Sequence, residues 1–162
     1  MSNILIISAT KGTNLILSED IKSMLSIKNE IISLENYNMP IYLPNLIDVD
    51  WRPVRELCHK FKQANGFIFC APEYNGGSPP ILTNIITWLS VSTDNFRELF
   101  SNKKALIGTH SGGAGARFLT TFRIQLEHLG VIVFPRTIMV NNSKPFNEKS
   151  AKTILDDFIK LL

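Results

Sequence analysis

The run from Gly66 to Ser90 constrains this chain most. Gly66 to Cys70 (GFIFC) is short, apolar and rich in strand formers, so it reads as a buried strand. The next twenty residues, APEYNGGSPPILTNIITWLS, open with Pro72 and hold Gly76, Gly77, Pro79 and Pro80 before turning helical. Ile81, Ile85, Trp88 and Leu89 then fall on one helical face. Pro80 suits the first turn of that helix, where a missing N–H costs nothing. A plain surface turn would need only two or so of these punctuating residues. A long loop at the carboxyl end of a buried strand is where open α/β sheets bind ligands. Glu73, Tyr74 and Asn75 place an acceptor, an aromatic plane and an amide at its tip.

The rest of the chain supplies matching elements. Asn3 to Ile7 (NILII) is a second buried strand. Ser8 to Thr13 (SATKGT) leads from it into a helix beginning near Asn14, with Thr13 as the expected N-cap and Leu17, Ile21, Met24 and Leu25 inward. Glu30 to Leu34 is the next strand. An irregular stretch with Pro40 and Pro44 follows, then a helix from Arg52 to Ala64 with Val54, Leu57, Cys58 and Phe61 inward and Asp50 as its cap. Val91 to Asn102 is a connection. Lys104 to Thr109 is the fourth strand and ends in the glycine-rich loop His110 to Ala116 (HSGGAGA). A helix from Phe118 to Leu129 stops at Gly130. Val131 to Phe134 is the fifth strand, extended after Pro135 by Ile138 to Val140. The last helix runs from Lys149 to Leu161, with Asn147 as its cap. Five strands alternating with helices give a doubly wound parallel sheet in a single domain over residues 1–162. The loops after strands one, three and four then share one end of that sheet.

Length and composition narrow the classes. One ordinary domain fits 162 residues, and 44% hydrophobic with 19% charged residues is a globular balance. The net charge of +3 is diffuse and forms no basic patch, so no nucleic-acid partner is expected. No apolar run approaches the roughly 18 residues of a membrane span. MSNILIIS lacks a basic leader region, so a cytoplasmic protein is expected. Cys58 and Cys70 belong to no C-x-x-C motif, and His59, His110 and His128 have no metal-ligand spacing, so no metal site is expected.

Ser8, Thr10, Lys11, Thr13 and Asn14 form a hydroxyl-rich loop ahead of a helix, a ready anion site. The nucleotide P-loop fails here because Lys11 precedes Gly12, and G-x-G-x-x-G fails because the segment has one glycine. A hydrolase elbow, G-x-S-x-G, also fails: the order is Gly108, Thr109, His110, Ser111, Gly112.

The 71–90 run resembles the NADPH-dependent FMN reductase family, which includes quinone, azo-dye and chromate reductases and whose motif reads close to P-E-Y-N-G-S-x-P-G-x-L-K-N-x-I-D-W-L-S. Pro72, Glu73, Tyr74, Asn75, Gly76, Pro79, Leu82, Asn84, Ile86, Trp88, Leu89 and Ser90 match it. Ser111, Gly112 and Gly113 match its second glycine loop. The first loop departs from the family's G-S-x-R-x-x-S-x-N. Ser8 and Ala9 replace Gly-Ser, Lys11 replaces Arg, and the loop is one residue short, closer to the flavodoxin pattern S-x-T-G-x-T. Lysine lacks arginine's bidentate grip, so a weaker or differently shaped phosphate site is expected.

The resemblance implies a flavodoxin-like sheet of order 2-1-3-4-5 with FMN at the switch point. It implies an enzyme with no catalytic acid–base residue of its own, passing hydride from NAD(P)H via FMN to a small-molecule electron acceptor such as a quinone, an azo compound or free flavin. The cofactor-binding residues would be Ser8, Thr10, Lys11, Thr13, Asn14, Pro72, Glu73, Tyr74, Asn75, Gly76, Ser111, Gly112 and Gly113. Amides of Glu73–Gly77 would meet the polar edge of the ring, and Arg117 is a candidate for the anionic nucleotide. A homodimer or homotetramer is expected, with Ile86, Trp88 and Val91 on the third helix as the apolar surplus. The alternatives are a flavodoxin-like electron carrier, against which a pI near 8.9 speaks, and a degenerate regulatory member without NAD(P)H activity.

Overall fold

The computed structural model describes residues 3–93 and 95–162. Met1 and Ser2, at the head of the first apolar run, and Asp94, inside the 91–102 connection, lie outside the described residues. The strands are β1 (Asn3–Ser8), β2 (Lys28–Ser33), β3 (Gly66–Cys70), β4 (Lys104–His110), β5 (Ile132–Val133) and β6 (Ile138–Val140). The helices are α1 (Thr13–Met24), α2 (Arg52–Gln63), α3 (Pro80–Val91), α4 (Arg97–Phe100), α5 (Ala116–His128) and α6 (Glu148–Ile159).

All strand pairs are parallel, in the order β2-β1-β3-β4-β5, with β6 also on β4. This is the flavodoxin-like order expected. The fifth strand is broken where Pro135 stands. β5 pairs with Lys104 and Ala105, and β6 resumes on Gly108 to His110. Arg123 of α5 fills the break, donating to the carbonyls of Val133 at 3.3 Å and Phe134 at 2.8 Å.

The central strands β1, β3 and β4 are buried on both sides, as their apolar runs require. Leu5, Ile7, Phe67, Phe69 and Ile107 face α2, α3 and α5, while Ile4, Ile6, Ile68 and Leu106 face α1 and α6. The first layer is aromatic: Phe61 meets Phe67 at 5.0 Å and Phe69 meets Phe122 at 5.1 Å between centroids. Cys70 is fully buried, and burial pushes its thiol up to about 12, so it is an inert core residue. Cys58, expected inward, is only half-buried, with Sγ 3.2 Å from Ser92 Oγ.

Helix ends show how local chemistry was met. Asn147 caps α6 as expected, accepting from Ser150 N at 2.8 Å. Asp50 accepts from Arg52 N at 3.0 Å at the head of α2. Thr13, the expected cap of α1, is instead its first residue. The N-cap is Gly12, at φ 81° and ψ −135°, a conformation open to glycine and costly for threonine.

The C-terminus of α2 is closed by a distant lysine. Lys103 Nζ donates to the carbonyls of Phe61, Lys62 (2.9 Å) and Ala64 (2.7 Å), satisfying acceptors that the helix leaves open. Lys103→Met should therefore cost about 1–3 kcal/mol in urea unfolding. A loss within experimental error would show that water replaces the ammonium without penalty.

Candidate functional site

β1, β3 and β4 are neighbours in the sheet, so the loops that leave them are neighbours too. Ala9 N bonds Cys70 O at 2.9 Å, and Ala71 N bonds Gly108 O at 3.2 Å, extending the ladder one residue past each strand. Beyond those bonds the three loops are cross-tied by side chains, with some polar groups buried in the ties and others left exposed.

The first loop is built from beneath. Ser8 is fully buried, and its Oγ donates to Thr10 O at 2.8 Å. Asn14 is also buried and spends both ends of its amide on one partner. Nδ2 donates to His110 O and Oδ1 accepts from His110 N, each at 2.9 Å. Ser8 and Asn14 thus shape and lock the loop, the latter by tying the first turn of α1 to the end of β4. Lys11, Gly12 and Thr13 are exposed and Thr10 is half-buried. The first helical bond of α1 is Ile16 N to Gly12 O at 3.0 Å, and no side chain caps the helix. The amides ahead of Ile16 therefore point out of the helix end beside a lysine and two threonine hydroxyls. Hydroxyls, outward amides and one ammonium suit a phosphate.

The second loop carries a tight turn. Tyr74 N to Gly77 O and Gly77 N to Tyr74 O, both 3.0 Å, close a two-residue reversal. Asn75 (φ 50°) and Gly76 (φ 76°) sit at its centre, both at positive φ as a mirror-image turn requires. Pro72 is buried, whereas Tyr74 is half exposed and Asn75 exposed. Not every amide of the Glu73–Gly77 loop is free for a ligand. Glu73 N donates to Ser111 Oγ at 2.8 Å, and the amides of Tyr74 and Gly77 bond each other's carbonyls. Among the described residues, Asn75 N and Gly76 N are the donors left at the tip. One oxygen of the Glu73 carboxylate is engaged as well: Oε2 accepts from Arg117 N at 2.9 Å and Phe118 N at 3.1 Å, capping α5.

The third loop is held at both ends and open in the middle. Ser111 is buried, with its N bonded to Val140 O at 3.1 Å and its Oγ 2.8 Å from Thr109 Oγ1. Gly112 and Gly113 are exposed, and a Cβ on either would meet nothing within 4 Å. Gly115 is different. At φ 68°, a Cβ there would lie 2.7 Å from Thr109 Cγ2 and 3.3 Å from Ser111 Oγ. Arg117 is exposed and lays its stem across the second loop, 3.2 Å from where a Gly76 Cβ would be.

The structure thus brings Ser8, Thr10, Lys11, Thr13 and Asn14 together at one corner. Pro72 to Gly76 and Ser111 to Gly113 form the other. Sequence reasoning passed over Gly12, Thr109 and Gly115, which set the backbone of the first and third loops. The signal for both glycines was their place immediately before a helix. The arrangement suits a ligand with a phosphate at one end and a flat, polar-edged ring at the other.

A family model described as NADPH-dependent FMN reductase matches residues 2–145. No curated protein matches the chain. Among solved structures, FerB, a flavoenzyme NAD(P)H:(acceptor) oxidoreductase from Paracoccus denitrificans, is similar with a TM-score of 0.78 at 18% identity. The match covers 99% of this chain and 95% of that one. The apo form of an NADH:FMN oxidoreductase (EMOB) aligns at a TM-score of 0.71 and 18% identity over 100% and 90% of the two chains. An azoreductase from Bacillus anthracis str. Sterne aligns at 0.66 and 14% over 99% and 98%. Likeness at such identity speaks to the fold alone. Among the described residues no helix is long and apolar enough to cross a membrane.

Proposed function

The chain belongs to the NADPH-dependent FMN reductase family, flavin oxidoreductases that take electrons from NAD(P)H, and we propose that it is a cytoplasmic enzyme passing them to a quinone, an azo compound or free flavin. One observation carries the reading. The loops after β1, β3 and β4 present a phosphate-type donor set, a glycine-bearing turn and an open two-glycine tip at the carboxyl end of the sheet. The residues fit FMN chemically: anion donors stand at one corner, and backbone that can approach a flat ring stands at the other.

When bound, FMN supplies hydride acceptance and donation. The chain's own part is binding, orientation and exclusion. Lys11, Thr10, Thr13 and the outward amides of α1 would hold the phosphate. Asn75 N and Gly76 N would meet the polar edge of the ring, and Gly112 and Gly113 would let backbone lie close to it. Ser8, Asn14 and Ser111 would support these contacts from behind, Pro72 would fix the entry of the second loop, and Glu73 would tie that loop to α5. Tyr74, half exposed at the rim, would border the face that admits nicotinamide and then the acceptor. Arg117 would offer its charge to the nucleotide phosphates.

If one face serves both substrates in turn, steady-state oxidation of NAD(P)H with a quinone should give parallel double-reciprocal plots at several quinone concentrations. Intersecting lines would reject a shared face. Lys11→Ala and Thr13→Ala should each weaken FMN binding by about 1–3 kcal/mol while leaving riboflavin, which lacks the phosphate, unaffected. Equal FMN affinity in both variants would move the phosphate elsewhere.

We also propose a homodimer or homotetramer, on altered grounds. Ile86 and Trp88 are buried within their own chain. The most exposed large apolar side chains are on the 41–51 segment, where Ile41 is 78% and Ile47 83% exposed, and Val91 of α3 is exposed as well. Light scattering should give a mass at least twice 18.2 kDa.

A further inference from the structure

Glu73 makes contacts that its turn does not require. The reversal at Tyr74–Gly77 closes through its own two backbone bonds and needs only Asn75 and Gly76 at positive φ. Glu73 instead reaches out in two directions, with N–H to Ser111 Oγ at 2.8 Å and Oε2 to Arg117 N at 2.9 Å and Phe118 N at 3.1 Å. The reason lies in α5. Its N-cap is Gly115, which has no side chain to offer and can carry none, because Thr109 and Ser111 crowd the Cβ position. The open amides of α5 are therefore satisfied by a carboxylate from a loop more than forty residues earlier. A cap of this kind fixes a distance between two elements, not only the end of one.

We propose that Glu73 is a positioning residue, a latch that sets the separation between the Asn75–Gly76 tip and the Gly112–Gly113 tip, and with it the width of the slot for the flavin ring. The latch has two points of attachment, the hydroxyl of Ser111 at the start of the third loop and the helix end just past it. The loop between them, residues 112–115, is held from both sides by one residue of its neighbour. This inference rests on the FMN reading and assigns Glu73 to the ring end of the site, away from Lys11.

The test is titration of the apoprotein with FMN and with riboflavin, in wild type, Glu73→Ala, Glu73→Gln, Ser111→Ala and Lys11→Ala. Glutamine keeps an oxygen acceptor for the α5 amides, so it should restore most of what alanine loses. Glu73→Ala should weaken both flavins by a similar factor, about tenfold or more, and change the shape of the visible absorption of bound FMN. Glu73→Gln should stay near wild type in both readouts. Ser111→Ala, which removes the other attachment together with the Thr109 hydroxyl contact but leaves the α5 cap in place, should weaken both flavins to a lesser degree and keeps the test available if Glu73→Ala folds poorly. Lys11→Ala should weaken FMN alone. A Glu73→Ala protein that melts earlier yet binds both flavins as wild type does would show a plain helix cap and overturn the latch. Loss of FMN affinity without loss of riboflavin affinity would overturn it too, by placing Glu73 at the phosphate end. Wild type that binds neither flavin would overturn the FMN reading itself and the latch with it.

Discussion

Gly115→Ala should destabilise the protein by about 2–4 kcal/mol and remove flavin binding with it. The substitution forces a side chain onto φ 68° and drives its Cβ to 2.7 Å from Thr109 Cγ2. Thr109 is fully buried in β4 and cannot move aside, so the third loop must. Ser111, 2.8 Å from Thr109, moves with it and loses Glu73 N. Gly113→Ala is the control. It has open space and no positive φ, so it should leave urea unfolding unchanged and weaken flavin binding only where backbone must lie against the ring. Equal unfolding curves for the two variants would mean that the loop yields without cost.

Trp88→Ala should be costlier, about 3–5 kcal/mol. Trp88 is 1% exposed and meets Tyr42 and Trp51 edge-on at 5.2 and 5.4 Å. Its Nε1 donates to Pro40 O at 2.8 Å, an acceptor shared with Asn84 Nδ2 at 2.9 Å, while Asn84 Oδ1 takes Tyr42 N at 2.9 Å. Two residues of the motif helix therefore pin an irregular segment that has no ladder of its own. Trp88→Phe keeps an aromatic face but loses the indole donor, so it should lose roughly half as much. Fluorescence of Trp51, the one tryptophan left, should shift to the red in Trp88→Ala as the segment loosens. A change below about 1 kcal/mol would show that the segment is held by something else.

These two residues mark how far the sequence could be read. The parallel sheet was legible because NILII, GFIFC and ALIG are apolar runs separated by helical patterns, whereas its order, 2-1-3-4-5, was implied by the family resemblance and not by the runs themselves. The site's location was legible for the same reason: loops after adjacent parallel strands must emerge together. What each polar group does there was not. Glu73 looks like a ligand acceptor in sequence and is a helix cap, because the need for a cap arises from Gly115, far along the chain. Asn14 looks like a phosphate donor and is a clamp on His110, 96 residues away. Trp88 looks like a surplus apolar residue and is enclosed by Tyr42 and Trp51, from a stretch without periodicity. Each of these contacts has the same origin. Local pattern shows which residues gather at an end of the sheet, while hydrogen-bond partners depend on long-range register.

These loops are proposed to hold FMN where NAD(P)H can reduce it. Anaerobic mixing of the FMN-loaded protein with NADPH or NADH, followed by loss of flavin absorbance in a stopped-flow instrument, tests this directly. Bleaching should be far faster than that of free FMN at the same concentration, followed by reoxidation when a quinone is added. FMN that binds tightly yet bleaches no faster than in free solution would contradict it and make the protein an electron carrier.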